Sequence, residues 1–188
     1  LKRKVKEIFS CFYRTQNHLL RYYPYLSRKL PAEIFFITSQ ELEDLYPDLS
    51  PKQREDEICK EKKAVFVMQI GNVLKSGQKH DGRAPDYDDW LLNGDILFWY
   101  PLLNRALEVS SMGIRVDSDS MLKQLKTAAC EDRIGLPFHN SVIESLVPLS
   151  IGGGIGQSRI CMYFLDKAHV GEVQSSIWSV ETINLCKK

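Results

Sequence analysis

Three groups of residues carry the side chains or backbone that chemistry needs. The first is a glycine cluster, Gly152, Gly153, Gly154 and Gly156, read as following a short strand and preceding a helix that carries Arg159. Glycine lets a ligand approach the backbone closely, and a helix start presents unpaired N–H groups and the positive end of a dipole. An arginine one turn inside adds a planar fork for phosphate. A tight strand-to-helix packing turn is the alternative. A dinucleotide-binding reading fits poorly, because too little chain follows for a second βα unit, and no Gly-Lys-Ser/Thr completes a Walker-type loop.

The second group lies on a predicted strand, Arg105 to Ser110. Alternation puts Ala106, Glu108 and Ser110 on one side and Leu107 and Val109 on the other. An antiparallel sheet can leave one face open as a ligand floor, where a carboxylate would hold Mg²⁺ against phosphates; an ordinary solvent-facing side is the alternative. The third group is acidic: Asp86, Asp88 and Asp89 crowd around Tyr87, and Asp95 follows Gly94. Neighbouring carboxylates repel, so they face either solvent or a cation. His18, His80, His139 and His169 show no metal-ligand spacing and read as structural or surface residues.

Around these groups the periodicity predicts an amphipathic helix from Val5, Ile8, Phe9 and Phe12, continued by Leu19, Leu20 and Tyr23 after a polar break. Ile34 to Ile37 reads as a strand. Thr38 with Glu41, and Ser50-Pro51 with Gln53, have the form of capping boxes, the second opening a charged, solvent-facing helix to Lys62. Ala64 to Ile70 and Ile96 to Tyr100 read as buried strands, Gly71 to Trp90 as loop or hairpin, Asp117 to Ala129 and Phe138 to Leu146 as helices. Strands and helices do not alternate strictly. This favours an α+β class with a mostly antiparallel sheet flanked by helices.

The chain has 188 residues, enough for one domain, and 25 basic against 24 acidic residues leave a net charge of +1. That balance argues against a general phosphate-backbone binder, so no stable nucleic-acid partner is expected. No apolar stretch is long enough to span a membrane. The five cysteines are odd in number, lack any C-x-x-C, and read as reduced, mostly buried thiols of a cytoplasmic protein. Leu1 rather than Met opens the chain, which fits a processed start or part of a longer polypeptide.

The segments His80–Trp90, Leu92–Leu97, Leu107–Asp117 and Ile151–Arg159 together resemble the ammonia-dependent asparagine synthetases, the aspartate–ammonia ligases. Glu131–Arg133 and Ser39–Gln40 with Leu45–Leu49 match as well, so the likeness runs from about Ser39 to Trp178. The resemblance implies the catalytic core of class II aminoacyl-tRNA synthetases. It implies a reaction of L-aspartate, ammonia and ATP that gives asparagine, AMP and pyrophosphate through a β-aspartyl adenylate, with Mg²⁺, in a homodimer. By the same resemblance Arg159 is the nucleotide-facing arginine of the third class II motif. Glu108 and Asp95 hold Mg²⁺ and nucleotide, Val109 and Ser110 lie along the AMP, and Gly154 sits beside its base or ribose. Tyr87, Asp88, Ser111, Gly152 and Gly153 line the amino-acid side. Asp88 holds either the substrate's α-ammonium or incoming ammonium.

The family's N-terminal part, with the first two class II motifs and much of the aspartate pocket, is not matched by residues 1–188, which are read as one catalytic domain without it. The passage from Trp90 to Leu91 is shorter than the family's loop there. A class II aminoacyl-tRNA synthetase core of aspartyl or asparaginyl type, and a non-catalytic nucleotide-binding relative, are the competing readings.

Overall fold

The apolar runs pair into one five-stranded sheet in the computed structural model, which describes residues 1–187. The strands are β1 (Phe35–Thr38), β2 (Ala64–Met68), β3 (Asp88–Tyr100), β4 (Arg105–Arg115) and β5 (Ile151–Ile155), neighbours in that order. β1 and β2 are parallel and the other three pairings antiparallel. The helices are α1 (Lys2–Tyr22), α2 (Ser39–Leu45), α3 (Pro51–Lys62), α4 (Ser118–Thr127), α5 (Pro137–Ile143), α6 (Gln157–Phe164) and α7 (Val180–Cys186). This is the expected α+β class with a mostly antiparallel sheet.

Alternation along the strands builds a core on each face. On one face, Val5, Phe9 and Phe12 of α1 and Tyr163 of α6 pack on Phe66, Ile96 and Phe98. On the other, Leu42 of α2 and Ile58 and Cys59 of α3 cover Val65, Val67, Leu97 and Trp99. Val116, Met121, Leu125 and Val142 form a smaller third cluster under α4 and α5. Both expected capping boxes are present, at Thr38–Glu41 and Ser50–Gln53.

Several elements depart from the sequence reading. α1 runs through its polar break because Gln16 is buried there and accepts hydrogen bonds from the Lys29 and Leu30 amides, both at 2.7 Å. α3 is not simply solvent-facing. Arg54 and Glu55 are buried, Arg54 bridging to Glu43 at 3.2 Å and to the carbonyls of Tyr46 and Pro47, so charges that look surface-bound satisfy buried partners. β3 begins eight residues before Ile96. The glycine cluster does not follow a strand: Gly152 to Gly154 are themselves the middle of β5, stabilised by pairing with β4. All five cysteines are free, but only Cys59 is buried; Cys11, Cys161 and Cys186 are exposed.

Candidate functional site

One departure decides the site. Along β3–β4, Ile96 pairs with Ser110 but Leu97 pairs with Glu108, which leaves Val109 as the extra residue of a β-bulge. Strict alternation would put Glu108 and Ser110 on one side. The bulge instead turns Ser110 to the α1 side, where its hydroxyl donates to the Gly154 carbonyl at 2.8 Å. It brings Ser111, opposite Asp95 and Gly154, onto the side shared by Glu108. Asp95, Glu108, Ser111 and Gly154 therefore face the same way, towards the side covered by α2 and α3. The expectation that Ala106, Glu108 and Ser110 share a face fails at Ser110 for this reason.

Beyond this floor lies a cleft of about 620 Å³, lined among others by Glu108, Val109, Ser110, Ser111, Gly154 and Arg159. Arg159 stands in the first turn of α6, and its Nη1 donates to the Glu108 carbonyl at 3.0 Å and to Glu108 Oε1 at 3.2 Å. A Cβ built at Gly154 would meet nothing within 4 Å, so the strand opens onto free space there. Gly153 points the other way, against Met112, and offers the cleft only its backbone.

Next to Glu108 is a carboxylate taken almost fully out of water. Asp95 is 4% exposed, and burial pushes its carboxyl above the usual range against the pull of Arg83. Arg83 pairs with one Asp95 oxygen, and the other, Oδ1, is buried with no hydrogen-bond partner. Burial also works against the charge of Arg83, but Asp95, Asp81 and Glu108 outweigh it and hold its pKa above the ordinary arginine value. A buried carboxylate oxygen without a donor suits a hard cation, so Asp95 with Glu108 fits Mg²⁺. Among the described residues no group of three or more metal-ligating side chains exists. Two carboxylates would need further oxygens, such as phosphates, to complete a shell.

The other end of the floor lies further along β4, roughly 20 Å from Glu108 at about 3.3 Å per residue. Here the Arg115 guanidinium pairs with Asp88, donates to the Tyr87 hydroxyl at 3.0 Å and stacks on the Tyr87 ring at 3.9 Å. It lies over Gly152, and Gly113 leaves the room that the Asp88 carboxyl occupies. Burial pushes Asp88 up, opposed by Arg115. The Asp86 carboxylate faces away, accepting from Arg133 at 2.9 Å and bonding His139 at 3.0 Å, which holds it below the usual range although burial works the other way. The acidic cluster is thus no solvated loop: Asp86, Asp88 and Asp95 each meet a different arginine.

Sequence reasoning gave no role to Arg83, Arg115 or Lys52, the last held by Glu55 at 3.0 Å and lying in the field of Asp81 and Glu108. Arg83 and Arg115 stand inside the segments that carried the resemblance. Arg83 stands just ahead of the acidic run, but Arg115 lies well past Asp95 with Arg105 between, so only the fold reveals which acid each one meets.

The aspartate–ammonia ligase family model matches residues 1–188, the whole chain. The chain belongs to the aspartate–ammonia ligase family. Two aspartate–ammonia ligases, from Clostridium tetani and Ruminiclostridium cellulolyticum, are each 63% identical over 188 residues, covering 100% of this chain and 55% and 56% of their own lengths. A third, from Fusobacterium nucleatum, is 59% identical and covered over 58% of its length. The chain thus spans about half the length of these ligases. Among solved structures, the asparaginyl- and aspartyl-tRNA synthetases of Entamoeba histolytica superpose with TM-scores of 0.55 and 0.56 at 14% and 13% identity. The alignments cover 84% and 85% of this chain and 38% and 36% of theirs. These neighbours place this member of the ligase family in the class II aminoacyl-tRNA synthetase fold, as the resemblance implied.

Proposed function

We propose that this chain belongs to an enzyme that condenses L-aspartate with ammonia at the expense of ATP, giving L-asparagine, AMP and pyrophosphate through β-aspartyl adenylate. The observation that carries the reading is one open sheet face with a carboxylate pair and Arg159 at one end and an arginine-braced carboxylate at the other. The asparaginyl-tRNA synthetase structure that holds asparaginyl-adenylate supports a related acyl-AMP on this fold.

In this scheme the β-carboxylate oxygen of aspartate bonds to the α-phosphorus of ATP as the bond to pyrophosphate breaks. Ammonia then attacks the acyl carbon, and AMP departs with the bridging oxygen. Catalysis of the first step is mainly alignment and charge neutralisation. Arg159 swings from Glu108 to the nucleotide. Val109 and Ser110 lie along the AMP through their backbone, their side chains facing α1, and Gly154 admits the ribose or base against bare backbone. Asp95 and Glu108 would hold Mg²⁺, which when bound supplies positive charge against the phosphates. Arg115 offers its remaining N–H groups to a substrate carboxylate, Asp88 offers its negative charge to an ammonium group, and Tyr87, Ser111, Gly152 and Gly153 border that pocket. The working unit is a cytoplasmic homodimer. Incubating the complete gene product with aspartate, ammonium and Mg·ATP should yield asparagine and AMP in equal amounts; aminoacylation of tRNA without free asparagine would contradict the proposal.

A further inference from the structure

β3 and β4 lose their pairing between Asp88–Arg115 and Asn93–Gly113, so four residues of β3 stand against one of β4. Backbone groups along that break need other partners, because buried unpaired amides and carbonyls are costly. The Leu91 amide donates to Asp89 Oδ1 at 2.8 Å, and Gln124 of α4 serves the residues on either side of Asp89. Its Oε1 accepts from the Trp90 amide at 2.8 Å, and its Nε2 donates to the carbonyls of Pro85 at 2.9 Å and Asp88 at 3.1 Å. A carboxamide has the donor and acceptor of a peptide unit, so this buried side chain, 5% exposed, acts as a one-residue substitute for the missing strand.

We propose that Gln124 is a positioning residue for amino-acid recognition, fixing through the backbone where Asp88 and Tyr87 present their side chains. The inference rests on the amino-acid role proposed above for those two residues. α4 gains a function by it: the small Met121–Leu125–Val142 cluster anchors the helix whose Gln124 sets the substrate end of the floor. Arg133 and His139 grip Asp86 from the same unit, so both flanks of Tyr87 are held from outside the sheet.

Gln124→Met keeps the length of the side chain and removes both hydrogen-bonding ends. In the complete gene product it should raise KM for aspartate at least tenfold while KM for ATP stays within twofold. The Trp90 amide should exchange its hydrogen at least tenfold faster, with the Leu97 and Val109 amides unchanged. Gln124→Glu keeps the acceptor for Trp90 but sets a carboxylate against two carbonyls. It should restore Trp90 protection and still raise KM for aspartate. Equal rises in both KM values, or an unchanged KM for aspartate in either variant, would overturn the positioning role. If Gln124→Met does not fold, Gln124→Glu decides by the same aspartate criterion. If the unaltered protein makes no asparagine, the ligase reading fails by itself. Trp90 exchange then decides the brace, and unaltered exchange in Gln124→Met refutes it.

Discussion

At the scale of single residues, the candidate site is held as ion pairs, Arg159 with Glu108, Arg83 with Asp95 and Arg115 with Asp88. The Glu108 and Arg159 side chains are 37% and 51% exposed, and an exposed pair of this kind contributes only ~0–1 kcal/mol to stability. Their substitution therefore tests function with little confusion from unfolding. Glu108→Gln should abolish aspartate-dependent ATP–pyrophosphate exchange while the thermal midpoint stays near that of the unaltered protein; exchange at the normal rate would remove Glu108 from metal and nucleotide binding. Arg159→Ala should weaken nucleotide binding by ~1.5–3 kcal/mol, the usual loss for a hydrogen bond to a charged group. Calorimetry that finds the same ATP affinity would remove Arg159 from the site. Glu108, Asp88, Asp95, Arg159 and the glycines stand out in the sequence because their types are chemically specific, whereas Tyr87, Val109 and Ser111 enter as site residues only through the resemblance. The arginines Arg83 and Arg115 do not stand out, since an arginine near aspartates is ordinary until geometry pairs it with one of them.

At the scale of elements, the bulge and the glycine strand shape the cleft. A bulge leaves no reliable mark in sequence, so alternation read from Arg105 to Ser110 held up to Glu108 and failed past Val109. The sequence places a short strand ahead of the glycines rather than through them, because glycine is a poor strand former, and pairing with β4 overrides that preference. The first half of β3 was hidden by its aspartates, which mimic a loop. Gly154→Val tests the role of this strand. The added side chain meets open space and a better strand former, so stability should be unchanged or slightly higher. ATP binding should be lost, because the new side chain stands in the cleft; normal ATP affinity in this variant would show that nucleotide lies elsewhere. The buried charges between α2 and α3 give a second element-scale prediction. Hydrogen bonds from Ser76, with those of Gln40 and Arg54, hold Glu43 down to about 2 from an ordinary 4.5. A carboxylate depressed by folding stabilises the protein above its unfolded value and loses that contribution as pH falls towards its folded one. Stability should therefore decline between pH 4.5 and about 2, and Glu43→Gln should flatten that part of the acid-denaturation curve. An identical acid profile in the variant would contradict it.

At the scale of the whole molecule, the sheet carries a core on each face, and the candidate site opens along the face shared with α2 and α3. On the α1 and α6 side Phe98 is buried, with ring centroids 5.6 Å from Phe12 and 5.1 Å from Tyr163. Phe98→Ala should cost ~3–5 kcal/mol by denaturant titration, as large-to-small core changes do. A loss under 1 kcal/mol would mean that α1 and α6 are not locked to the sheet through that ring. The fold class was legible because Ala64–Met68 and Phe98–Tyr100 are continuous apolar runs and the helix caps are explicit. α7 was not, having little beyond the Ser179 cap and no buried residue to mark it. The central claim is that one face brings an aspartate carboxylate onto the α-phosphorus of ATP. Isotopic transfer tests it most directly. With aspartate carrying ¹⁸O in its β-carboxylate, one labelled oxygen should appear in AMP for each asparagine formed, and none in pyrophosphate. Label in inorganic phosphate with ADP as the co-product, or unlabelled AMP, would contradict the account.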